Sequence, residues 1–179
     1  MLIFISGGVR SGKTALAENF AKKAAGRTYR LNYIAAGRAT DSEMEERIMR
    51  HKEGRLQSEA VWRTFEQSVN LHELAVHYSK RDIIVLDCLT TWLNHEMFSL
   101  TPNPCLLSHM LMGVRRLRDS SRMLIVVSNE LSFDAARYSP EVSDYIRLLG
   151  KLHQETVKIA DSAYLAECGI PLMKKGVKP

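Results

Sequence analysis

Runs of consecutive apolar residues recur along the chain, separated by stretches in which apolar positions return every three or four residues. Residues 2–6, Leu-Ile-Phe-Ile-Ser, form a short β-branched and aromatic run that stops at two glycines, which predicts a buried strand. Residues 11–26 follow as a predicted helix, with Leu16, Phe20 and Ala24 at helical spacing and Gly26 at its end. Residues 29–36 predict a second strand, closed by Gly37. Residues 41–52 predict a helix: Asp41 or Ser42 can cap it, Glu43, Glu45 and Glu46 suit its first turns, and Arg50 to Lys52 suit its end. Residues 69–78 predict a further helix. Residues 82–87 predict a strongly buried strand, Ile-Ile-Val-Leu between two carboxylates. Residues 89–98 and 105–119 predict helices on either side of a proline-bearing turn or loop at 101–104. Residues 123–128 are another continuous apolar strand, ending at Asn129 and Glu130. Residues 140–161 predict a long amphipathic helix with Val142, Tyr145, Ile146, Leu149 and Leu152 on one face. Residues 163–168 predict a last strand, and 170–175 can add an antiparallel edge hairpin. Continuous apolar strands alternating with helices imply an α/β protein with a mainly parallel sheet covered on both faces. The order of the strands does not follow from this pattern.

Composition narrows the class. The 179 residues are 45% hydrophobic and 25% charged, the mix of an ordinary globular chain, and their number suits one domain spanning 1–179. The longest apolar runs, such as 83–86 and 124–127, are too short to cross a membrane. The N-terminus lacks a basic region and a cleavage site, so its apolar start is expected to be a strand rather than a signal peptide. Three widely spaced cysteines, Cys88, Cys105 and Cys168, predict reduced thiols and a cytoplasmic location. The net charge of +5 admits either nucleic acid or a phosphorylated small molecule. Without long Lys/Arg runs or interleaved aromatic and basic residues, no nucleic-acid partner is expected.

The candidate chemistry begins at Gly7-Gly8-Val9-Arg10-Ser11-Gly12-Lys13-Thr14, which matches Gly-x4-Gly-Lys-[Ser/Thr] between a predicted strand and a predicted helix. Triphosphate oxygens need several converging backbone N–H groups, and glycines permit that close approach. Lys13 can then reach the β- and γ-phosphates, and the Thr14 hydroxyl can ligate magnesium. Such a P-loop specifies a three-layer P-loop NTPase-type fold. Of the carboxylates flanking 83–86, Asp87 is the magnesium candidate because it stands at the C-terminal end of its strand, where ligands bind in such sheets. Its alternative role is to cap the helix that begins near Thr90.

Three further stretches are unusual beside a P-loop: Glu43 through Arg55, Trp62-Arg63-Thr64-Phe65-Glu66, and Asp87-Cys88-Leu89-Thr90-Thr91-Trp92-Leu93. Together with the Gly-Gly-x-Arg-Ser-Gly-Lys form of the loop, they resemble the bifunctional adenosylcobinamide kinase / adenosylcobinamide-phosphate guanylyltransferase family. The resemblance runs from Leu2 to about Glu130 and continues more weakly through Gly150–Gln154, Ala160-Asp161 and Gly169–Pro171. It implies a cobalamin-biosynthesis transferase with two reactions. ATP or GTP phosphorylates the aminopropanol hydroxyl of adenosylcobinamide. A histidine then attacks GTP, and GMP passes to the cobinamide phosphate. His51 matches that nucleophile in the Arg47-Ile48-x-x-His51 pattern. A neutral imidazole is a competent nucleophile near pH 7, and Lys13, Arg50 and Lys52 could neutralise departing pyrophosphate. The alternative for His51 is a surface histidine near a helix C-terminus.

The same resemblance places Ile34-Ala35-Ala36, Lys52-Glu53-Gly54-Arg55 and Glu66 at the nucleotide. For Glu66 the alternative is a solvated helix position. The resemblance further implies a homo-oligomer, a trimer being one such form. The other histidines, His72, His77, His95, His109 and His153, read as structural or surface groups. Met97, Met110 and Met112 read as core filling.

Two departures stand out. After Glu130 the family carries a glycine-rich stretch, whereas this chain reads Leu131 to Pro140 without glycine. An asparagine usual in the family's later helix is His153 here. Nucleotide chemistry is expected to survive, and acceptor binding is the part these changes touch. A P-loop kinase retaining only phosphoryl transfer and a nucleotide-binding module without turnover are the competing readings.

Overall fold

A computed structural model describes residues 1–37, 49, 60–99, 103–131 and 138–176. Its described strands are β1 (Leu2–Gly7), β2 (Arg30–Ala35), β3 (Trp62–Glu66), β4 (Asp82–Asp87), β5 (Met123–Asn129), β6 (Ser162–Glu167) and β7 (Ile170–Lys175). Helices α1 (Lys13–Ala25), α2 (Leu89–Met97), α3 (Leu106–Ser120) and α4 (Pro140–Ile159) connect them, with a short 3-10 helix over Leu71–His77. All seven strands join one sheet in the order β3-β2-β4-β5-β1-β6-β7. Every neighbouring pair is parallel except β6 with β7.

The two faces are covered as the apolar runs require. Ile3, Ile5, Ile83, Val85, Ile125 and Val127 face α1, whereas Leu2, Phe4, Ile84, Leu86, Leu124 and Val126 face α2, α3 and α4. Alternate residues of one strand thus enter opposite cores, and this is why the strands read as unbroken apolar runs. Helix α1 buries Ala17, Ala21 and Ala25, while Leu16, Phe20 and Ala24 flank that stripe half-buried. The face expected from Leu16 and Phe20 is therefore rotated by one position. Alanines let the helix lie close on the sheet, and the larger side chains fill its margin.

Other expectations change in detail. The helix predicted over 69–78 is a short 3-10 segment that buries Leu71 and Leu74. Trp62–Glu66 pairs in parallel with β2, so Glu66 closes a strand rather than sitting on a solvated helix. The long amphipathic helix forms, but its first turn is solvent-facing: Val142 is exposed, while Leu149 and Leu152 are buried. Met110 is fully buried, as a core filler should be. The helix expected over 41–52 lies outside the described residues.

At the N-terminal end of β4, Asp82 is fully buried and is the acceptor of a dense network. Its Oδ2 accepts from Arg30 Nη2 at 2.6 Å, the Ser79 amide at 2.8 Å and the Ser79 hydroxyl at 2.9 Å. Its Oδ1 accepts from Arg63 Nη2 at 2.8 Å and Asn32 Nδ2 at 3.0 Å. This carboxylate ties β2, β3 and β4 together at the end of the sheet remote from the phosphate loop. Burial alone would raise its pKa, but the hydrogen bonds, led by Arg30, outweigh burial and hold it below the ordinary 3.8. A depressed folded-state pKa contributes stability above the unfolded value, and that stability is lost as pH falls through the folded-state value. Asp82→Asn is therefore expected to cost about 2–4 kcal/mol at pH 7. The deficit relative to wild type should shrink below about pH 4. Urea midpoints at pH 7 and pH 3 check this, and a deficit of equal size at both would remove the carboxylate charge from the account.

Candidate functional site

The loop after β1 is shaped around an anion. Gly12 caps α1 with φ 86°, and no side chain caps the helix, so its first amides remain for a ligand. A side chain at Gly7 would meet the Ser11 hydroxyl at 2.5 Å and the Ala166 carbonyl at 2.6 Å, so only glycine allows this path. Arg10 adopts φ 61°, and Gly8, Val9 and Arg10 are solvent-facing at the rim. The Ser11 amide donates to the Gly8 carbonyl at 3.2 Å, which closes the turn. Lys13 is buried, and its Nζ donates to the same carbonyl at 2.9 Å, folding the cation back over the loop. The Ser11 hydroxyl is buried without a hydrogen-bond partner, close beside Gly7.

Asp87 faces this loop across one strand. β5 lies between β1 and β4, so the carboxylate is not on the neighbouring strand. Thr14 nevertheless donates its hydroxyl hydrogen to Asp87 Oδ2 at 2.9 Å, and Tyr33 on β2 donates to the same oxygen at 2.6 Å. The helix that follows is capped by Cys88, whose Sγ accepts from the Thr91 amide at 3.5 Å. Asp87 is thus not the helix cap. Magnesium fits this pair of oxygens: octahedral ligands at about 2.1 Å stand about 2.9–3.0 Å apart when adjacent. A hydroxyl and one carboxylate, with phosphate and water completing the shell, are what this hard cation takes. The buried side-chain oxygen of Asn129 at the end of β5 has no hydrogen-bond partner and could accept from such a water.

Behind the strand ends runs a polar chain. Thr90 Oγ1 and Ser128 Oγ share a hydrogen bond at 2.9 Å, and Thr90 Oγ1 accepts from the Asn129 amide at 2.8 Å. Ser128 Oγ lies 2.7 Å from His153 Nε2, and His153 Nδ1 is 3.8 Å from Glu130 Oε1. Burial lowers the His153 pKa below 6.5, with the Glu130 carboxylate opposing that shift. The imidazole is therefore neutral at pH 7. Phe4 presses edge-on against the ring at 5.2 Å.

The remaining candidates fall elsewhere along the same sheet edge. Ile34, Ala35 and Ala36 stand at the end of β2, and Glu66 stands at the end of β3. β3 is four strand spacings from β1, about 19 Å of sheet. Ile34 to Ala36 nevertheless stand beside Asp87, Ala35 pairing with it in register and the Ala36 amide donating to its carbonyl at 3.0 Å, whereas Glu66 is one strand further out. His51 and Lys52, Glu53, Gly54 and Arg55 lie outside the described residues. They belong to the connection between β2 and β3, whose described ends are Gly37, past the C-terminal end of β2, and Ala60, before the N-terminal end of β3 at the opposite edge of the sheet. Tyr33, Thr90, Ser128 and Glu130 were not singled out by sequence reasoning. A hydroxyl inside an otherwise apolar strand, as at Tyr33 and Ser128, is the one signal that could have drawn attention to them.

A glycine-shaped phosphate loop opening a helix, with a strand-end carboxylate within hydrogen-bond reach of its threonine, defines a P-loop nucleotide-binding protein. Solved structures agree on the fold. The flagellar accessory protein FlaH of Methanocaldococcus jannaschii matches with TM-score 0.54 and 14% identity, over 98% of this chain and 78% of that one. The KaiC-like protein PH0186 of Pyrococcus horikoshii matches with TM-score 0.54 and 14% identity, over 99% and 79%. Within that class the chain belongs to the cobinamide kinase / cobinamide phosphate guanyltransferase family, whose model matches residues 3–174. Curated relatives include the bifunctional adenosylcobalamin biosynthesis protein CobP of Pseudomonas aeruginosa, 30% identical over 178 residues that cover 96% of each chain. The corresponding CobU of Salmonella typhimurium is 29% identical over 184 residues, 95% of this chain and 97% of that one. Among the described residues no helix is long and apolar enough to cross a membrane.

Proposed function

We propose that this chain phosphorylates adenosylcobinamide with ATP or GTP, and then transfers GMP from GTP to the resulting phosphate through a guanylylated His51, giving adenosylcobinamide-GDP. The observation that carries the reading is the Thr14–Asp87 contact of 2.9 Å across the P-loop, in a chain matched by the family model from residue 3 to 174. In this reading Gly7 to Thr14 hold the triphosphate, and Thr14 and Asp87 hold magnesium. That ion neutralises charge on the phosphates when bound. Lys13 stabilises negative charge developing on the transferred group. Ile34, Ala35, Ala36, Lys52 to Arg55 and Glu66 complete the nucleotide contacts, with the Glu66 carboxylate suited to the N–H donors of guanine. The chain works as one transferase domain, in the cytoplasm and as a homo-oligomer.

Incubation with GTP labelled on the α-phosphate tests the proposal. Label retained on protein, released by mild acid and stable to base, supports a phosphoramidate at histidine. Tight GTP binding without protein label would instead support a nucleotide-binding module. Transfer of γ-label to cobinamide without protein label would leave a kinase alone.

Tyr33 offers a narrower check on the metal site. Removing its hydroxyl leaves the ring packed against Trp62 but takes a charge-assisted hydrogen bond from Asp87. Tyr33→Phe is expected to change the magnesium concentration for half-maximal phosphoryl transfer by about tenfold, with little change in fold stability. An unchanged magnesium titration would reduce the phenol to packing.

A further inference from the structure

β5 ends between the phosphate loop that follows β1 and Asp87 at the end of β4. It is the only strand between β1 and β4, and Asn129 pairs in register with Gly7 while Val127 pairs with Asp87. The chain therefore extends beyond Asp87 on the central line of the site. Glu130 is the first residue past the strand, and its amide donates to the Gly7 carbonyl at 3.0 Å, which fastens it to the mouth of the phosphate loop. Its carboxylate is one-fifth exposed, open to an entering acceptor yet backed by protein. The backing is the chain His153–Ser128–Thr90, in which His153 holds Ser128 at 2.7 Å and stands 3.8 Å behind the Glu130 oxygen. Thr14 and Tyr33 both donate to Asp87 Oδ2, so that oxygen is already engaged, and the reading above gives this carboxylate to magnesium. Glu130 makes no comparable contact with the loop hydroxyls.

We propose that Glu130 is the general base of the phosphoryl-transfer step, accepting the proton of the acceptor hydroxyl at the phosphate loop, with His153 as the residue that positions it. The assignment rests on the kinase reading above. In the step, the hydroxyl proton passes to a Glu130 oxygen as the hydroxyl oxygen forms its bond to the γ-phosphorus. The bond from that phosphorus to the β,γ-bridging oxygen breaks, and its electron pair leaves with the nucleoside diphosphate. Glu130 then releases the proton to water. The guanylylation step needs no such base, because a neutral imidazole carries its own lone pair.

The test compares Glu130→Gln, Glu130→Asp and His153→Asn with wild type in two assays: γ-label transfer from ATP to cobinamide, and α-label uptake from GTP onto the enzyme. Glu130→Gln keeps shape and hydrogen bonding but cannot take a proton. It is expected to lower kcat for phosphoryl transfer at least about 100-fold with the KM for ATP within about threefold. Its α-label uptake should stay within about threefold of wild type. Glu130→Asp keeps the carboxylate and should fall between the two. His153→Asn keeps a polar group behind Glu130 and is expected to lose less than about tenfold in kcat, the pattern of a positioning residue. A Glu130→Gln kcat within threefold of wild type would overturn the proposal, as would parallel loss of both activities. Wild-type enzyme that transfers no γ-label would refute the kinase reading and the base together, whereas label transfer with an insensitive Glu130 refutes the base alone.

Discussion

Alanine at Lys13 is expected to lower phosphoryl transfer at saturating nucleotide by about 10³-fold, equivalent to about 4 kcal/mol of transition-state stabilisation. The size follows from where the ammonium sits. Lys13 opens α1, its side chain is buried, and Nζ bonds the Gly8 carbonyl at 2.9 Å inside the loop. A charge held in that geometry acts on phosphate oxygens with little water between them and needs no reorganisation as negative charge develops. The loop path itself is set by Gly7, Gly12 and the Ser11–Gly8 bond, so the variant should keep its fold. Rate measurements across ATP concentrations, with a melting curve as control, check this. A variant within tenfold of wild type at saturation would take Lys13 out of the chemistry.

The second large effect is expected at His51. Alanine there should reduce α-label uptake from GTP by about 10³-fold or more, because no other group would supply the nucleophile. Phosphoryl transfer from ATP should stay within about tenfold, since it depends on the P-loop, magnesium and acceptor positioning. An alanine variant that still takes up α-label at the wild-type rate would remove His51 as the carrier of GMP. Of the two variants, His51→Ala is the one expected to separate the reactions, losing the covalent intermediate while keeping phosphoryl transfer.

The sequence by itself determined the central strands, the main helices that cover them and the phosphate loop. Unbroken apolar runs such as 83–86 and 124–127 could be buried only between two helical layers, and both strands lie in the centre of the sheet. The Gly-x4-Gly-Lys-Thr spacing is local, so its backbone shape was legible from eight consecutive residues. Strand order was not legible, because parallel crossovers of similar length can reach several neighbours. The tertiary structure put β5 between β1 and β4, and with it placed Asn129 and Glu130 at the heart of the site. It placed Glu66 at the end of a strand paired with β2, a conformation that the β-favouring Trp62, Thr64 and Phe65 support. It chose the alanine stripe of α1 over Leu16 and Phe20, because close approach to the sheet favours the smallest side chains. Tyr33 reaches Asp87 across a sequence separation of 54, Thr90 reaches Ser128 across 38 and Ser128 reaches His153 across 25, separations that no local pattern encodes. Contacts that long in sequence arise only when the sheet brings strand ends together, and that convergence is what makes the site.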